Sequence, residues 1–299
     1  MTAGPSPHTR PSRRAHRWRI PIAVAAVGAL AWALATQRSH TVFDAESPFG
    51  RVRVVERGDG LRTLYTGAGR ARQSALYPGR PLHLELPYTC VAVIGLALVP
   101  PDARILFVGL GGGALPMYAR AVLPEARIDV VEINPLIVDV ARQWFGFVTD
   151  ERMSVHTADG RAFIEDAPPR SWDLVVLDAF ADDDIPVALT TVQFLQAVRA
   201  RLAPGGIVVS NLWSAGGAYP SMLTTYRAVF GELRLIRVPA RTQRILIAGS
   251  RGHLAREAVL RSARELERRA PLGFGLAHLV ASGWQAVPAV TAPILEDDA

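Results

Sequence analysis

The sequence predicts an α/β fold in which a mostly parallel sheet follows a small antiparallel β domain. Apolar strand patterns alternate with amphipathic helical patterns from residue 104 to residue 231, which is typical of a parallel sheet covered by helices on both faces. The strand patterns at 233–238 and 243–250 are separated by only four residues, so the sheet should end in an antiparallel hairpin. Residues 51–77 alternate apolar and polar residues around Asp59-Gly60, which predicts a hairpin before the sheet.

Each element of the alternating region has its own signal. The strands are apolar runs that end near glycine or an acid, and helices open with proline or threonine or stop at glycine. Outside this region we predict a helix over 87–99, a charged amphipathic helix over 253–270 and a packed apolar tail over 274–295. The predicted strands are 105–111, 127–135, 153–160, 172–180 and 206–213, and the predicted helices are 114–123, 135–146, 190–206 and 218–231.

Composition and charge exclude several classes of protein. A chain of 299 residues with 49% hydrophobic and 20% charged residues is not a disordered protein. The single cysteine, Cys90, excludes a disulfide scaffold and a multi-cysteine metal site. The net charge of +6 arises in residues 1–43, which hold six arginines and no acid. A nucleic-acid-binding domain carries its basic excess on the folded part, so we predict no nucleic-acid partner.

An apolar segment follows the basic N-terminus. Residues 20–36 are 17 residues without a charge, after five arginines and before Arg38. A transmembrane helix needs roughly 17–25 apolar residues, whereas a cleaved signal has an apolar stretch of roughly 7–15. We therefore predict a membrane anchor, with a cleaved signal or a buried helix as alternatives, and the positive-inside rule puts the folded part outside the cytoplasm. The predicted divisions are a basic tail (1–19), the anchor or signal segment (20–36), a linker (37–50), a small β domain (51–86), an α/β domain (87–250) and a C-terminal helix and tail (251–299).

Glycine and acidic residues stand where the predicted parallel strands end. In such a sheet a ligand lies outside the carboxyl ends of the strands, near the point where the strand order reverses. Glycine lets the backbone turn tightly and approach a ligand at a helix N-terminus. The residues at these ends are Gly109, Gly111 and Gly113, then Glu132, which is 21 residues after Gly111, then Asp159-Gly160, Asp178 and the acidic run Asp182–Asp184.

Most of these residues also have an interpretation without a ligand. The glycine turn could only close a helix on a strand, Glu132 could be a solvated strand end, and Asp159 could be a helix cap. The acids at 182–184 could form a solvated loop. Asp178 is different, because a carboxylate directly after the apolar run 174–177 needs a partner or a charged ligand.

Two classes of nucleoside cofactor fit a glycine turn followed by an acid, namely nicotinamide dinucleotides and S-adenosyl sulfonium compounds. The terminal hairpin favours the second class, because dinucleotide-binding sheets usually end with a parallel strand. The carboxylates agree, since two unit charges at ~4 Å interact by about 4 kcal/mol at an effective dielectric of 20, and acids attract a cation rather than a pyrophosphate. We therefore predict that the α/β domain (87–250) binds a nucleoside sulfonium.

The sequence resembles the polyamine aminopropyltransferases, the spermidine synthase family, in segments that read VGLGGGA, VVEINP, ADGRAF and VVLDAF in this order. The similarity runs from about Phe49 to Ser250 and is closest to divergent spermidine synthase-like proteins that carry membrane segments. It implies a Rossmann-like sheet of the S-adenosylmethionine-dependent methyltransferase type. It also implies transfer of an aminopropyl group from decarboxylated S-adenosylmethionine to a polyamine acceptor, release of methylthioadenosine, no metal, and a homodimer.

The resemblance also implies roles for residues of this chain. Asp178 would be the catalytic carboxylate with Asp182 assisting, and Tyr88 and Asp183 would bind the acceptor amine. The sequence departs from the family where amines are held: the aspartate of the family's glycine loop is Gly112 here, and the family's Asp-Glu pair after its glutamine is missing. The implied donor-binding residues are Gln73, Gly109, Gly111, Gly113, Glu132, Asp159 and Gly160.

Two other functions stay open. A small-molecule methyltransferase would use the same sheet with intact S-adenosylmethionine, although the sequence shows no evident partner for the α-carboxylate of that donor. A membrane-anchored protein with a degraded acceptor site would bind polyamines or nucleosides without catalysis. The predicted orientation outside the cytoplasm favours this last function, because the sulfonium donor is cytoplasmic.

Overall fold

The computed structural model describes residues 1, 4, 38–67, 72–180, 185–249 and 254–297. Two sheets organise these residues. One is a four-stranded antiparallel sheet near the N-terminus, and the other is an eight-stranded, mostly parallel sheet. The predicted fold class is confirmed.

The N-terminal sheet is a continuous antiparallel meander. Its strands, in spatial order, are β1 (Ser39–Ser47), β2 (Gly50–Arg57), β3 (Arg62–Thr66) and β4 (Ser74–Leu76). The predicted hairpin joins β2 to β3, and its turn is stabilised by Asp59, whose carboxylate accepts a hydrogen bond from the Leu61 N–H at 3.2 Å. Val54 and Leu64 face each other across this hairpin and are fully buried in the core shared with the large sheet.

The prediction of a linker over 37–50 is wrong for most of its length, because β1 occupies Ser39–Ser47. This strand pairs with β2 from end to end. Five of its nine residues are exposed at the edge of the sheet, while Val42 and Phe43 pack against the core. Two adjacent apolar residues do not produce the regular alternation that marks a half-buried strand in a sequence.

The strand order of the large sheet reverses at the first of its strands in the chain. Its strands are β5 (Arg104–Val108), β6 (Arg127–Glu132), β7 (Met153–Thr157), β8 (Trp172–Leu177), β9 (Leu202–Trp213), β10 (Glu232–Arg237), β11 (Gln243–Gly249) and β12 (Trp284–Gln285). The spatial order is β12-β10-β11-β9-β8-β5-β6-β7. The pairs between β9 and β7 are parallel, and β11, β10 and β12 join them as antiparallel strands. Because β5 lies between β6 and β8, a ligand is expected at its carboxyl end.

Helices cover both faces of the large sheet. They are α1 (Pro87–Ala92), α2 (Ile94–Ala97), α3 (Ala114–Val122), α4 (Pro135–Phe145), α5 (Gly160–Asp166), α6 (Val192–Arg201), α7 (Tyr219–Val229), α8 (Arg256–Arg269) and α9 (Leu276–Gly283), with a 3₁₀ turn at Val187–Leu189. Neighbouring residues of β5 point to opposite faces, so Ile105 joins the core that contains Phe145 and Leu106 joins the core that contains Phe194. The single helix predicted over 87–99 is two short helices, α1 and α2, which together cover part of one face of the sheet.

The prediction of a membrane-anchored protein is wrong for the part of the chain that the structure describes. No helix in that part is long and apolar enough to cross a membrane. The segment 20–36, on which the prediction rests, lies outside the described residues. The apolar tail predicted over 274–295 contains α9 and β12, and its residue Leu295 packs against the core that contains Phe194.

Candidate active site

A cleft of about 370 Å³ opens at the carboxyl ends of β5, β6 and β8. Thr66 and Ser74 of the N-terminal sheet line one side of it, and Ala188 and Leu189 of the 3₁₀ turn line another. The cleft therefore lies at the reversal of strand order, and the N-terminal sheet supplies one wall. Of the residues predicted for the site, those that line this cleft are Gln73, Tyr88, Gly109, Gly111, Glu132, Asp159, Gly160 and Asp178.

Another cavity, of about 390 Å³, lies between the loop after β4 and the helices α3 and α4. Its carboxylate, Asp150, is hydrogen-bonded to Arg120 at 2.7 Å. This cavity does not include the strand ends at Glu132 and Asp178. The cleft at the strand ends is therefore the candidate active site.

The glycine turn after β5 depends on close backbone contacts. Gly109 has a φ of +98°, and a Cβ on it would lie 2.5 Å from the carbonyl oxygen of Asp178. Gly113 has a φ of +80°, and a Cβ on it would lie 2.7 Å from the ring of Phe147. Both the left-handed backbone and the contacts require glycine. Gly113 thus supports the turn from behind and does not line the cleft, whereas Gly111 lines it.

Glu132 is fixed in the cleft by backbone amides. Its Oε2 accepts a hydrogen bond from the Leu110 N–H at 3.0 Å, and its Oε1 accepts one from the Asn134 N–H at 3.0 Å. Burial raises the pKa of Glu132, while these amides and those of Ile133 and Gly111 oppose the rise by favouring the carboxylate. The carboxylate is thereby fixed at the edge of the cleft, where its oxygens can also accept hydrogen bonds from hydroxyl groups of a ligand.

Asp159 has the helix-cap role that its position in the sequence allows. Its Oδ1 accepts a hydrogen bond from the Ala162 N–H at 2.8 Å at the start of α5. Gly160 follows it, and a Cβ there would lie 2.8 Å from Cγ1 of Val108. The cap does not remove the pair from the cleft, because both residues also line it.

Asp178 lies directly after β8 between two side-chain donors. The Tyr88 hydroxyl donates to its Oδ2 at 3.0 Å, and Nδ2 of Asn211 donates to its Oδ1 at 3.0 Å. Burial raises the pKa of Asp178 to about 6, and the two hydrogen bonds partly oppose this rise. Burial and the Asp178 charge both raise the pKa of Tyr88, so its hydroxyl stays protonated and donates. A carboxylate with a pKa near the working pH can accept a proton during a reaction.

Asn211 is a site residue that the sequence analysis misses. It lies near the end of β9, next to β8, and its Oδ1 is buried without a hydrogen-bond partner. The sequence contains a signal for it, since an asparagine within the apolar run of a central strand needs a polar partner. Asp178, at the end of the neighbouring strand β8, is that partner.

Gly112, in the glycine turn, lies against Ser74 and Phe145. A Cβ at this position would lie 2.9 Å from Oγ of Ser74 and 3.0 Å from the ring of Phe145, which is fully buried. The space for a side chain at Gly112 is therefore already filled. Asp182 and Asp183, predicted to assist catalysis and to bind the acceptor, lie outside the described residues.

Comparison with known proteins identifies two kinds of relative. A family model described as the spermine/spermidine synthase domain matches residues 91–230. The polyamine aminopropyltransferase of Chromobacterium violaceum is 33% identical over 230 residues, which cover 75% of this chain and 86% of the relative. The enzyme of the same name from Vibrio vulnificus is 35% identical over 158 residues, or 52% of this chain.

The second kind is a methyltransferase. The eEF1A lysine and N-terminal methyltransferase of Bos taurus is 37% identical over 185 residues, which cover 57% of this chain. The chain spans about half the length of the Vibrio relative (53%) and about a quarter of the bovine one (26%).

Solved structures agree on the fold. Human methyltransferase-like protein 13 in complex with SAH is 33% identical, with a TM-score of 0.58 over 63% of this chain and 93% of that chain. A probable spermidine synthase from Corynebacterium glutamicum has a TM-score of 0.64 at 23% identity over 74% of this chain and 86% of that chain. At that identity the second likeness concerns the fold alone.

Proposed function

Because this chain belongs to the spermine/spermidine synthase (polyamine aminopropyltransferase) family, we propose that it transfers an alkyl group from an S-adenosyl sulfonium donor to an amine. In the form that we put first, the donor is decarboxylated S-adenosylmethionine, the acceptor is a polyamine, and methylthioadenosine leaves. The observation that carries the proposal is the arrangement of Glu132 and Asp178 in one cleft, on the strands that flank β5.

The donor would lie along the glycine turn. Glu132 would accept hydrogen bonds from the ribose hydroxyls, because its carboxylate is held at the cleft by backbone amides. Asp159 and Gly160 would lie beside the adenine. Gln73, on the opposite wall, would contact the chain attached to sulfur.

The acceptor would approach Asp178. The amine nitrogen of the acceptor attacks the donor carbon next to sulfur, the carbon–sulfur bond breaks, and the electron pair of that bond returns to sulfur. An alkyl amine titrates near the lysine value of ~10.4, so it must lose a proton to become a nucleophile. Asp178 would accept that proton, and Tyr88 and Asn211 would hold its carboxylate in place.

A second form, methyl transfer from intact S-adenosylmethionine, is favoured by Gly112. The wall near this residue presents the Ser74 hydroxyl, and the space that a carboxylate would need is filled by Ser74 and Phe145. An acid there would attract the amine of a decarboxylated donor and repel the α-carboxylate of an intact one. The similarity to eEF1A methyltransferases agrees with this form.

The two forms are separated by calorimetric titration of the purified protein with decarboxylated S-adenosylmethionine, S-adenosylmethionine and methylthioadenosine. Preference for the decarboxylated donor and methylthioadenosine supports aminopropyl transfer, and preference for S-adenosylmethionine supports methyl transfer. Binding without turnover of any amine would leave a binding protein. Binding of none of the three would overturn the proposal.

The homodimer that the family resemblance implies is tested on the same sample by light scattering.

A further inference from the structure

The C-terminal tail is hydrogen-bonded to the helices α6 and α7. The Leu295 N–H donates to Oγ1 of Thr225 in α7 at 2.9 Å, and the Leu295 carbonyl accepts from the Val192 N–H in α6 at 2.7 Å. Two residues later, the Asp297 N–H donates to Oε1 of Gln193 at 3.1 Å. The tail is thereby attached to both helices through its backbone.

Asp297 ends this attachment in a pair with Arg161. The guanidinium donates to both carboxylate oxygens, at 2.6 and 2.5 Å, and to Glu165 at 2.8 Å. The hydrogen bonds from Arg161 and from Thr191 lower the pKa of Asp297 to about 2, so its carboxylate is charged at every working pH. A bidentate pair of this kind fixes orientation as well as distance.

Arg161 also joins two walls of the cleft. It follows Gly160 at the start of α5, and its Nη1 donates to the carbonyl of Ala188 at 3.4 Å and to Oγ1 of Thr191 at 3.5 Å. Ala188 belongs to the 3₁₀ turn that lines the cleft, and Thr191 caps α6 directly after that turn. The Arg161 side chain thus contacts both the C-terminal tail and the 3₁₀ turn. Arg161 also directly follows Asp159 and Gly160, which line the cleft.

We propose that residues 295–297 are a strap that holds the 3₁₀ turn against the nucleoside cleft, with Arg161 and Asp297 as its positioning residues. A cleft wall that is fixed before binding loses less conformational freedom when a ligand arrives. Without the pair, the turn also adopts positions that do not bind the ligand. The apparent Kd then rises in inverse proportion to the fraction of time in which the wall is in place. The role in donor binding rests on the proposed function, whereas the fixing of the turn does not.

Asp297→Ala tests the strap while Leu295 and its backbone bonds stay. We expect the Kd for methylthioadenosine to rise by about threefold to tenfold, with turnover at saturating donor within twofold of the wild type. Arg161→Lys should give a similar rise, because lysine cannot make the bidentate pair. The matched control is Glu265→Ala, which removes an exposed arginine–carboxylate pair with Arg268 on α8 and should leave the Kd unchanged. An unchanged Kd in Asp297→Ala would overturn the role in donor binding.

A measurement without a ligand separates the strap from the proposed function. In the 3₁₀ turn, the Leu189 and Thr190 N–H groups donate to the carbonyls of Pro186 and Val187, each at 2.9 Å. Amide hydrogen exchange at these two positions should be at least about threefold faster in Asp297→Ala than in the wild type and in Glu265→Ala. If the wild type binds no nucleoside, the proposed function fails while this readout still decides the strap. Equal exchange in all three proteins would overturn it.

Discussion

Glu132 and Asp178 lie at the ends of the two strands that flank β5, and the protein holds these two carboxylates differently. Backbone amides hold Glu132, including those of Leu110 and Asn134. Side chains hold Asp178, namely Tyr88 and Asn211. Burial raises the pKa of both acids, but the positions of the amides are set by the fold, whereas the two side chains contribute separately to the environment of Asp178.

The difference suggests a division of labour. A carboxylate that is surrounded by backbone N–H groups is kept in one place and suits a ligand that must be held. A carboxylate whose pKa is about 6 changes its charge near neutral pH and suits proton transfer. Substitutions at the two positions should therefore affect binding and turnover in opposite proportions.

The largest effect is expected for Asp178→Asn. General base catalysis contributes typically 10²- to 10⁴-fold, so turnover should fall by about that factor. The site should keep its structure, because the Asn211 amide can rotate and present its unpartnered Oδ1 to the new amide. The measurement is kcat with the best amine together with the Kd of methylthioadenosine, which should stay within about twofold.

Asp150→Asn is the control for that experiment, since Asp150 pairs with Arg120 outside the cleft. It should leave both quantities near the wild-type values. A loss of nucleoside binding in Asp178→Asn as large as its loss of turnover would contradict the division between the two carboxylates.

Glu132→Gln should show the reverse proportion. A glutamine amide has one oxygen and no charge, so either the Leu110 or the Asn134 N–H loses its acceptor, and the ligand hydroxyls lose a charged acceptor worth about 1.5–3 kcal/mol. We expect the Kd of methylthioadenosine to rise by about tenfold to a hundredfold, and kcat at saturating donor to change much less. Calorimetry and saturation kinetics on the same sample measure both. A fall in kcat with an unchanged Kd would assign Glu132 to chemistry and end the comparison.

The sequence predicts the parts of this site that depend on strand ends. Residues after an apolar run, such as Glu132 and Asp178, can be located because strand periodicity places the carboxyl end of each strand at one edge. Partners contributed by other elements are harder to find. Asn211 belongs to a neighbouring strand, and its contact with Asp178 depends on the parallel register of β8 and β9, which no local pattern encodes.

The same reasoning explains the errors in the fold. The β2–β3 hairpin has a turn pair and alternation, so it is visible in the sequence, whereas β1 has neither and owes its conformation to pairing with β2. The pair between Arg161 and Asp297 joins residues 136 positions apart. Its formation depends on the path of the tail across α6 and α7, and this path is a property of the assembled fold.

The pH dependence of stability provides a third test of the comparison. The folded-state pKa of Asp178, about 6, lies above its ordinary value of 3.8. Between these values the folded protein binds more protons than the unfolded chain, so this group makes stability fall as pH rises from about 4 to about 6. The free energy of unfolding of the wild type, relative to Asp178→Asn, should decrease by roughly 1–3 kcal/mol from pH 4 to pH 7. Urea denaturation at both pH values measures it, and a pH-independent difference would mean that Asp178 titrates normally.

The smallest effect is expected for Tyr88→Phe, which removes one of the two donors to Asp178 and keeps the aromatic ring. The lost hydrogen bond had favoured the carboxylate, so the pKa of Asp178 should rise further. The acid limb of the pH profile of kcat/KM should move upward by about half a unit to one unit, with little change at pH 8.5. Tyr77→Phe is the control, because the Tyr77 hydroxyl donates to Asp59 in the N-terminal sheet. If the acid limb does not move in Tyr88→Phe, the Tyr88 hydroxyl does not set the charge of Asp178, and the difference between the two carboxylates would then depend on Asn211 alone.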